Sequence, residues 1–555
     1  MTRLERRLRL AIYVLASGLI AGAFLGGWLN YNPFPFFDGW DGNINFQIMF
    51  EDRPSVLLAQ HNEHRLIITR LLVLLDYNLF GGRHIFLTLT NYMFALVAWY
   101  AFWHCLKLIN QDDVEQRDVN LLAMVIGGWV FLWSQEPNFV WGFQNQVHAA
   151  QVFPLLAFLS LSHAARRPRD ENRLFITSLA LGVVSAGSMA NGALALPLMA
   201  VWSIFLRMRF WQTLSLVGAG ALVLFLYTRA YFTPPGHSSV FSTFFEHPFS
   251  VLLFTFKFLG NPFVHVISPL WPANWLALAL GVMLAGTAAF LTVQLAKYGT
   301  RSAAAPGLTL YIVYVGSTAF LTAGGRIFFD EYMAYIQRYT TPTVLAWAAF
   351  TCLISPWIFR VFYSSRNSRR GVLIFAVVGL AACFIPLIRN VVPSSDFHHN
   401  QAMAALAAEL GIPDEEQIGH TYPSAKAVIH IADRARARDL GVFGRSPYRG
   451  LRETIGESWT SFSGSVLCRH ETLEELKVEA ADHVRVSGTV FVTEKADARS
   501  RVLMVNADNK VVGAGLTRRP QDRRTQTGAR VRIAEFTAYV PDGLTGFRIA
   551  SEACQ

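Results

Sequence analysis

Residues 10–29 form a long, predominantly apolar run directly behind Arg3, Arg6, Arg7 and Arg9. About 20 such residues cross the hydrocarbon core of a bilayer, and a segment there must be helical to satisfy its own backbone. The run is too long for a signal-peptide core, and no A-x-A site follows it. Ten further apolar stretches follow, at residues 84–106, 119–134, 148–165, 174–189, 193–206, 211–229, 272–296, 306–323, 339–359 and 371–391. The sequence therefore predicts a polytopic α-helical membrane bundle of about 11 spans. The pair near 174–206 is short, and losing both would leave the topology unchanged.

Charge fixes the expected orientation. Of the 555 residues, 53% are hydrophobic and only 15% charged, below the roughly 25% of an ordinary soluble domain. The net charge is +10, but residues 393–555 carry 21 Lys+Arg against 21 Asp+Glu. The excess falls in residues 1–392, with 27 basic against 17 acidic side chains. Eighteen of the 27 lie in the N-terminal segment and in the loops 107–119, 166–173, 207–209, 297–301 and 360–370. Loops 135–146 and 190–192 carry none. That asymmetry predicts a cytoplasmic N-terminus and, with eleven spans, an extracytoplasmic C-terminus in a bacterial inner membrane. It argues against nucleic acid as a partner, because the soluble part is balanced.

The character changes after Asn390. Residues 1–392 read as the membrane domain, 393–458 as a linker with short helices such as QAMAALAAEL, and 459–555 as a β-sandwich-like domain, giving an α+β extracytoplasmic region. Strands are expected at 484–486, 489–492, 502–505, 511–512, 536–540 and 547–549, with turns at 506–509 and 541–543. Cys105, Cys352 and Cys383 sit in apolar segments; Cys468 and Cys554 share the soluble domain and can pair if it lies in an oxidising compartment.

Two outer loops are long. Residues 30–83 are interrupted by charge and read as interfacial amphipathic helices; residues 230–272 are aromatic and read as dipping along the surface. Charge near lipid costs roughly 2.5–3.5 kcal/mol at a span centre, so polar clusters at the outer ends of spans need a reason. There are four. Asp38 and Asp41, in Phe37-Asp38-Gly39-Trp40-Asp41-Gly42, suit a base or a metal ligand, although an Asp-Gly turn needs no function. His61, Glu63, His64 and Arg65, with Arg70 beyond, suit phosphate binding through Arg65 or a structural ion-pair network. If this stretch is helical, His61 and Arg65 share a face. H-x-E-H is a poor match to a helical zinc motif. Glu136 with Trp141, Gln144, Asn145, Gln146 and His148 suits a sugar, whose ring stacks on aromatics while amides bond its hydroxyls. Arg326, Asp330, Glu331, Arg338 and Tyr339 place two arginines where positive-inside statistics disfavour them, as a phosphate would require. Asn191, Lys257 and His265 are weaker candidates.

This organisation resembles the GT-C superfamily of integral-membrane glycosyltransferases. The resemblance spans roughly residues 1–392 and rests on the first outer loop with its early Asp38/Asp41, the helices between Ile44 and Leu79, and the Gly325-Arg326…Arg338-Tyr339 segment. It implies transfer of a sugar from a polyprenyl-phosphate donor to an extracytoplasmic glycan, lipid or protein acceptor. It further implies Asp38 or Asp41 as base, Glu136 as a second acid, and Arg326 and Arg338 on the donor phosphate. Arg65 and Tyr339 would assist there, and His61, Glu63, His64, Trp141, Gln144, Asn145 and His148 would line the sugar. The first loop has D-x-x-D in place of the family's paired acids. That leaves the base open, and with it whether a divalent metal takes part; no other cofactor is implied. A lipid-linked polysaccharide flippase and a non-catalytic envelope scaffold are the competing readings.

Overall fold

A computed structural model describes residues 2–111, 114–232, 240–267, 273–299, 302–327, 331–461, 464–478, 481–494, 496, 499–524, 530–544 and 546–554. The chain divides into two compact units. The first comprises Met1–Tyr31, Leu57–Leu72 and Phe86–Val392; the second comprises Asn32–Val56, Val73–Ile85 and Pro393–Gln555. Two stretches of the long first loop thus pack with the C-terminal region.

The first unit is helical. Among the described residues, eight helices are long and apolar enough to cross a membrane: Arg3–Leu29, Ile85–Ile109, Gly142–Ala164, Phe210–Thr228, Ala273–Tyr298, Ala305–Arg326, Gln337–Ser364 and Arg366–Asn390. These are the features of a multi-pass membrane protein. Three expected spans are shorter helices: Gln116–Val130, Glu171–Ala186 and the segment Ala190–Phe205. At 1.5 Å per residue, 15 or 16 residues reach about 24 Å, less than the roughly 30 Å of a hydrocarbon core.

Where a surface loop is expected, Pro248–Leu259 and Asn261–Ile267 form a helix pair bent by 56°. The bend is packed tightly. A Cβ on Gly260 would lie 1.8 Å from the Ala277 carbonyl oxygen, and one on Gly281 would lie 1.9 Å from that of Phe256. Only glycines permit this close crossing with Ala273–Tyr298. Asn261 closes the break: its buried Nδ2 donates to the carbonyls of Ala334 and Ile336, both at 3.1 Å, and its Oδ1 accepts from Thr340 Oγ1 at 2.7 Å.

Basic loops gather at one end of this unit. Arg9 pairs with Asp118, which also accepts from Tyr363 Oη at 2.5 Å. Glu5 lies 3.9 Å from Arg366 and 4.0 Å from Arg369, and Arg209 lies 3.0 Å from Glu171. Ser162 Oγ donates to the Ala303 carbonyl at 2.6 Å.

In the second unit the helices Ser395–Leu410, Glu415–Gly419 and Ala425–Arg436 accompany one antiparallel sheet. Its strands are β1 (Val466–Leu467), β2 (His470–Lys477), β3 (His483–Phe491), β4 (Arg501–Val505), β5 (Val511–Thr517), β6 (Gln521–Arg524), β7 (Arg530–Pro541) and β8 (Arg548–Ser551). They run in the order β1-β8-β4-β5-β7-β3-β2, with β6 on β7, so the expected pair of facing sheets is replaced by a single hydrogen-bonded one. Cys468 and Cys554 form a disulfide. It joins the loop between β1 and β2 to the residues after β8, closing most of the domain into one covalent loop.

Asp414 ties helices to sheet. Its Oδ1 caps Glu415–Gly419 by accepting from Gln417 N at 3.0 Å, and its Oδ2 accepts from Arg485 Nη1 at 3.0 Å and Tyr539 Oη at 2.8 Å. Asp414 and Arg485 are buried. Asp414→Ala leaves Arg485 only the exposed Glu416, 2.8 Å away, and takes this acceptor from the Tyr539 hydroxyl, so it should cost roughly 1–3 kcal/mol. Thermal unfolding of the full-length protein in detergent tests this; an unchanged midpoint refutes it.

Glu409 is fully buried, and neither carboxyl oxygen accepts a well-formed hydrogen bond among the described residues. Burial pushes its carboxyl up to about 7, opposed by the nearby Arg436. The native state therefore holds this proton longer than the unfolded chain. The resulting stability is complete below the ordinary carboxylate range and is lost as pH rises through about 7. Glu409→Gln should raise the thermal midpoint at pH 8 by a few degrees and leave it unchanged near pH 4.

Candidate functional site

The polar cluster of the first unit begins in the segment before the Ile67–Phe80 helix. Residues 61–64 are a tight turn and not a helix: His61 N donates to His64 O at 2.8 Å and His64 N to His61 O at 2.9 Å, with Asn62 at φ 48°. The helical face shared by His61 and Arg65 is therefore absent. The turn presents Glu63 and His64 to the ends of later helices, away from the basic loops. Glu63 Oε1 lies 3.3 Å from Arg326 Nη2, at the end of Ala305–Arg326. Glu63 Oε2 lies 4.0 Å from His64 Nε2. His64 Nδ1 accepts from Ala190 N at 3.3 Å, which puts its proton on Nε2, facing the carboxylate. All three side chains are only partly exposed.

Arg338 and Tyr339 lie in the short turn that opens the Thr340–Ser364 helix. Arg326, Arg338 and Glu63 all fall within electrostatic reach of the Tyr339 hydroxyl. The Tyr339 ring packs on Phe258 at 4.7 Å, and the Arg338 side chain is exposed. Asn138 holds this turn: its Nδ2 donates to the Arg338 carbonyl at 3.0 Å and to Thr341 Oγ1 at 2.7 Å. Glu136, two residues earlier, is half-buried at the start of a short helix, and burial pushes its carboxyl up to about 6. Asn138 thus links the Glu136 loop to the Arg338 loop. Neither Asn138 nor Thr341 stood out in the sequence; only the density of amides in PNFVWGFQNQ hinted at the first.

Other sequence candidates serve the scaffold. Arg65 directs Nε to the Tyr227 carbonyl at 2.9 Å, Nη1 to that of Leu58 at 2.6 Å and Nη2 to that of Arg229 at 2.6 Å. Its guanidinium is committed to backbone. Arg70 does the same with Leu57 and Ala59. Asn145 is buried and accepts from Thr69 Oγ1 at 2.6 Å; His148 is buried with Nε2 3.1 Å from the Asn138 carbonyl; Gln144 is buried beside them. Trp141 lends its carbonyl to Asn91 Nδ2 at 3.1 Å, and His61 meets the edge of Phe143 at 5.5 Å. Asn191 bonds Thr318 at 3.4 Å. Asp330 lies outside the described residues.

Asp38 and Asp41 belong to the second unit. Asp41 opens a π-helical turn, Trp40–Asn45, anchored by the buried Trp40, and its carboxylate accepts from the Tyr422 hydroxyl. Asp38 is within electrostatic reach of the same hydroxyl. Burial and the Asp41 charge raise the Tyr422 pKa above the ordinary range, keeping the phenol a donor. Tyr422 is 381 positions from its partner, and nothing in the sequence announces it.

Among the described residues, no group of three or more His, Cys, Asp or Glu side chains is placed to hold a metal ion. No family model matches the chain, and no curated protein matches it.

The Asn138 link is testable. Asn138→Ala removes the donor to the Arg338 carbonyl, at roughly 1–3 kcal/mol for a buried group left unpaired, while Thr341 keeps its bond to Gln135 Oε1 at 2.7 Å. A thermal midpoint in detergent equal to wild type would show that these bonds do not hold the loop.

Proposed function

We propose that the chain is a GT-C-type membrane glycosyltransferase that moves a sugar from a polyprenyl-phosphate donor to an extracytoplasmic glycan, lipid or protein acceptor. The observation that carries this reading is the meeting of Glu63, His64 and Arg326 beside Tyr339 and the exposed Arg338, drawn from three separate segments at the helix ends opposite the basic loops. Two guanidinium groups there match the charge of a departing lipid phosphate. Arg338 would make the first contact, and Arg326 would exchange part of its Glu63 pairing for the phosphate. Glu136, with its carboxyl pushed up to about 6, is suited to take or give a proton near neutral pH. Asp38 and Asp41, which the family resemblance implies as base, belong to the second unit. The Cys468–Cys554 disulfide supports an oxidising, extracytoplasmic location for that unit. An eleven-span topology would count the three shorter helices as spans.

The 56° break at Gly260-Asn261 favours a second reading, a lipid-linked glycan flippase, because discontinuous helices also mark transport sites. Proteoliposomes separate the two: a flippase moves an intact fluorescent polyprenyl-phosphate sugar across the bilayer, and a transferase cleaves it.

The decisive experiment complements a strain lacking the protein and profiles its envelope glycans. Wild type should restore a missing sugar. Arg326→Ala and Arg338→Ala should each lower transfer by about 10²–10³-fold, the cost of one lost transition-state donor, at normal membrane abundance. Full complementation by the double variant would sink the reading. If Glu136 acts as a base, the transfer rate rises with pH through about 6, and Glu136→Gln removes that limb.

A further inference from the structure

The opposite end of the first unit holds a cavity of about 500 Å³ where the ends of Gly142–Ala164, Ala190–Phe205 and Ala273–Tyr298 meet the start of Ala305–Arg326. Arg166, Arg207 and Lys297 line it, together with Trp202, Phe205 and Tyr298. Basic residues are expected at this end on topological grounds alone. What sets these three apart is that they share one concave site. Elsewhere in the basic loops and N-terminal segment, Arg9, Arg117, Arg209, Arg366 and Arg369 each have a carboxylate within 4.0 Å, supplied by Asp118, Glu115, Glu171 and Glu5. Arg166, Arg207 and Lys297 have none among the described residues, and no Asp or Glu lines the cavity.

The helix ends do not use up this charge. Three C-termini bring about −1.5 in partial charge and one N-terminus returns about +0.5, so the cations exceed them by about two charges. Arg207 also sits at φ 53°, just past a helix end, where the left-handed backbone favours glycine. Beside the cavity the helix flanks are apolar and exposed, with Ile204 at 66% and Val293 at 49%.

We propose that this cavity binds the phosphate group of an anionic membrane lipid, with the acyl chains lying along the exposed Ile204 and Val293 flank. Excess positive charge in a concave, aromatic-lined site at a membrane-helix end is the chemistry that holds lipid phosphates. Those exposed apolar flanks favour a lipid-borne phosphate over a soluble one.

Native mass spectrometry of the full-length protein in detergent, titrated with phosphatidylglycerol or phosphatidylcholine, tests this. Wild type should retain phosphatidylglycerol in preference. Arg166→Gln/Lys297→Gln should weaken that retention by about tenfold or more, whereas Arg117→Gln, a paired arginine at the same end, should not. Equal retention of both lipids, or a double variant that binds like wild type, overturns the proposal. Displacement of the lipid by millimolar inorganic phosphate would reassign the site to a soluble phosphate and overturn the lipid source. Should the double variant fail to insert, wild type alone decides through a photoactivatable phosphatidylglycerol. Crosslinks within 202–207 and 295–298 support the site, and crosslinks only elsewhere refute it.

Discussion

A backbone carbonyl that leaves a helix inside an apolar bundle has no water to turn to, and it must find a donor or the helix cannot end there. The first unit breaks its helices repeatedly at the end away from the basic loops, and side chains supply the donors. Asn138 serves Arg338, Asn261 serves Ala334 and Ile336, and Asn91 serves Trp141. Arg65 serves Leu58, Tyr227 and Arg229, and Arg70 serves Leu57 and Ala59. Each unpaired buried group would cost roughly 1–3 kcal/mol, so these bonds together decide whether non-helical backbone survives there. The candidate site consists of such backbone. Its loops are fixed by amides and guanidinium groups whose chemistry is structural.

That constraint explains which polar residues are left to act. A guanidinium in direct contact with three carbonyls, as in Arg65, has little capacity left for a phosphate. Arg326 faces a carboxylate, whose grip an incoming anion can share, and Arg338 gives its carbonyl to Asn138 while its side chain extends outward. Asn145 and His148 follow the same division: both are buried and bonded within the bundle, so a sugar would have to break existing bonds to use them.

The sequence made the long helices legible because length and apolarity are properties of one segment at a time. Strands β3, β4, β5, β7 and β8 were legible for a similar reason, since their apolar residues and the Asn506–Asn509 and Pro541–Gly543 turns are local. β2 and β6 were not. HETLEELK has the composition of a helix, and QDRR is wholly exposed. Both are strands because β3 and β7 offer unpaired backbone, a cause that lies outside their own residues. The bent pair at 248–267 was hidden by Pro248, Lys257, Asn261 and Pro262, which read as loop, while the Gly260–Gly281 crossing that stabilises it is non-local. Within the candidate site, the residue types of Glu63, Arg326 and Arg338 drew notice, but their meeting joins positions 263 apart, and the turn at 61–64 overrode the helical spacing.

Counting charges along the chain would have treated the two ends of the first unit as opposites, one basic and one mixed. Partners matter more than counts. At the basic end five arginines face Asp118, Glu115, Glu171 or Glu5, and no acid lines the cavity that Arg166, Arg207 and Lys297 share. At the other end carbonyls take up Arg65 and Arg70, Glu63 faces Arg326, and the Arg338 side chain is exposed. The two places proposed for an anion therefore differ in kind: one gathers three cations in a cavity without acids, and the other sets the exposed Arg338 near an Arg326 whose carboxylate partner an anion would have to displace in part.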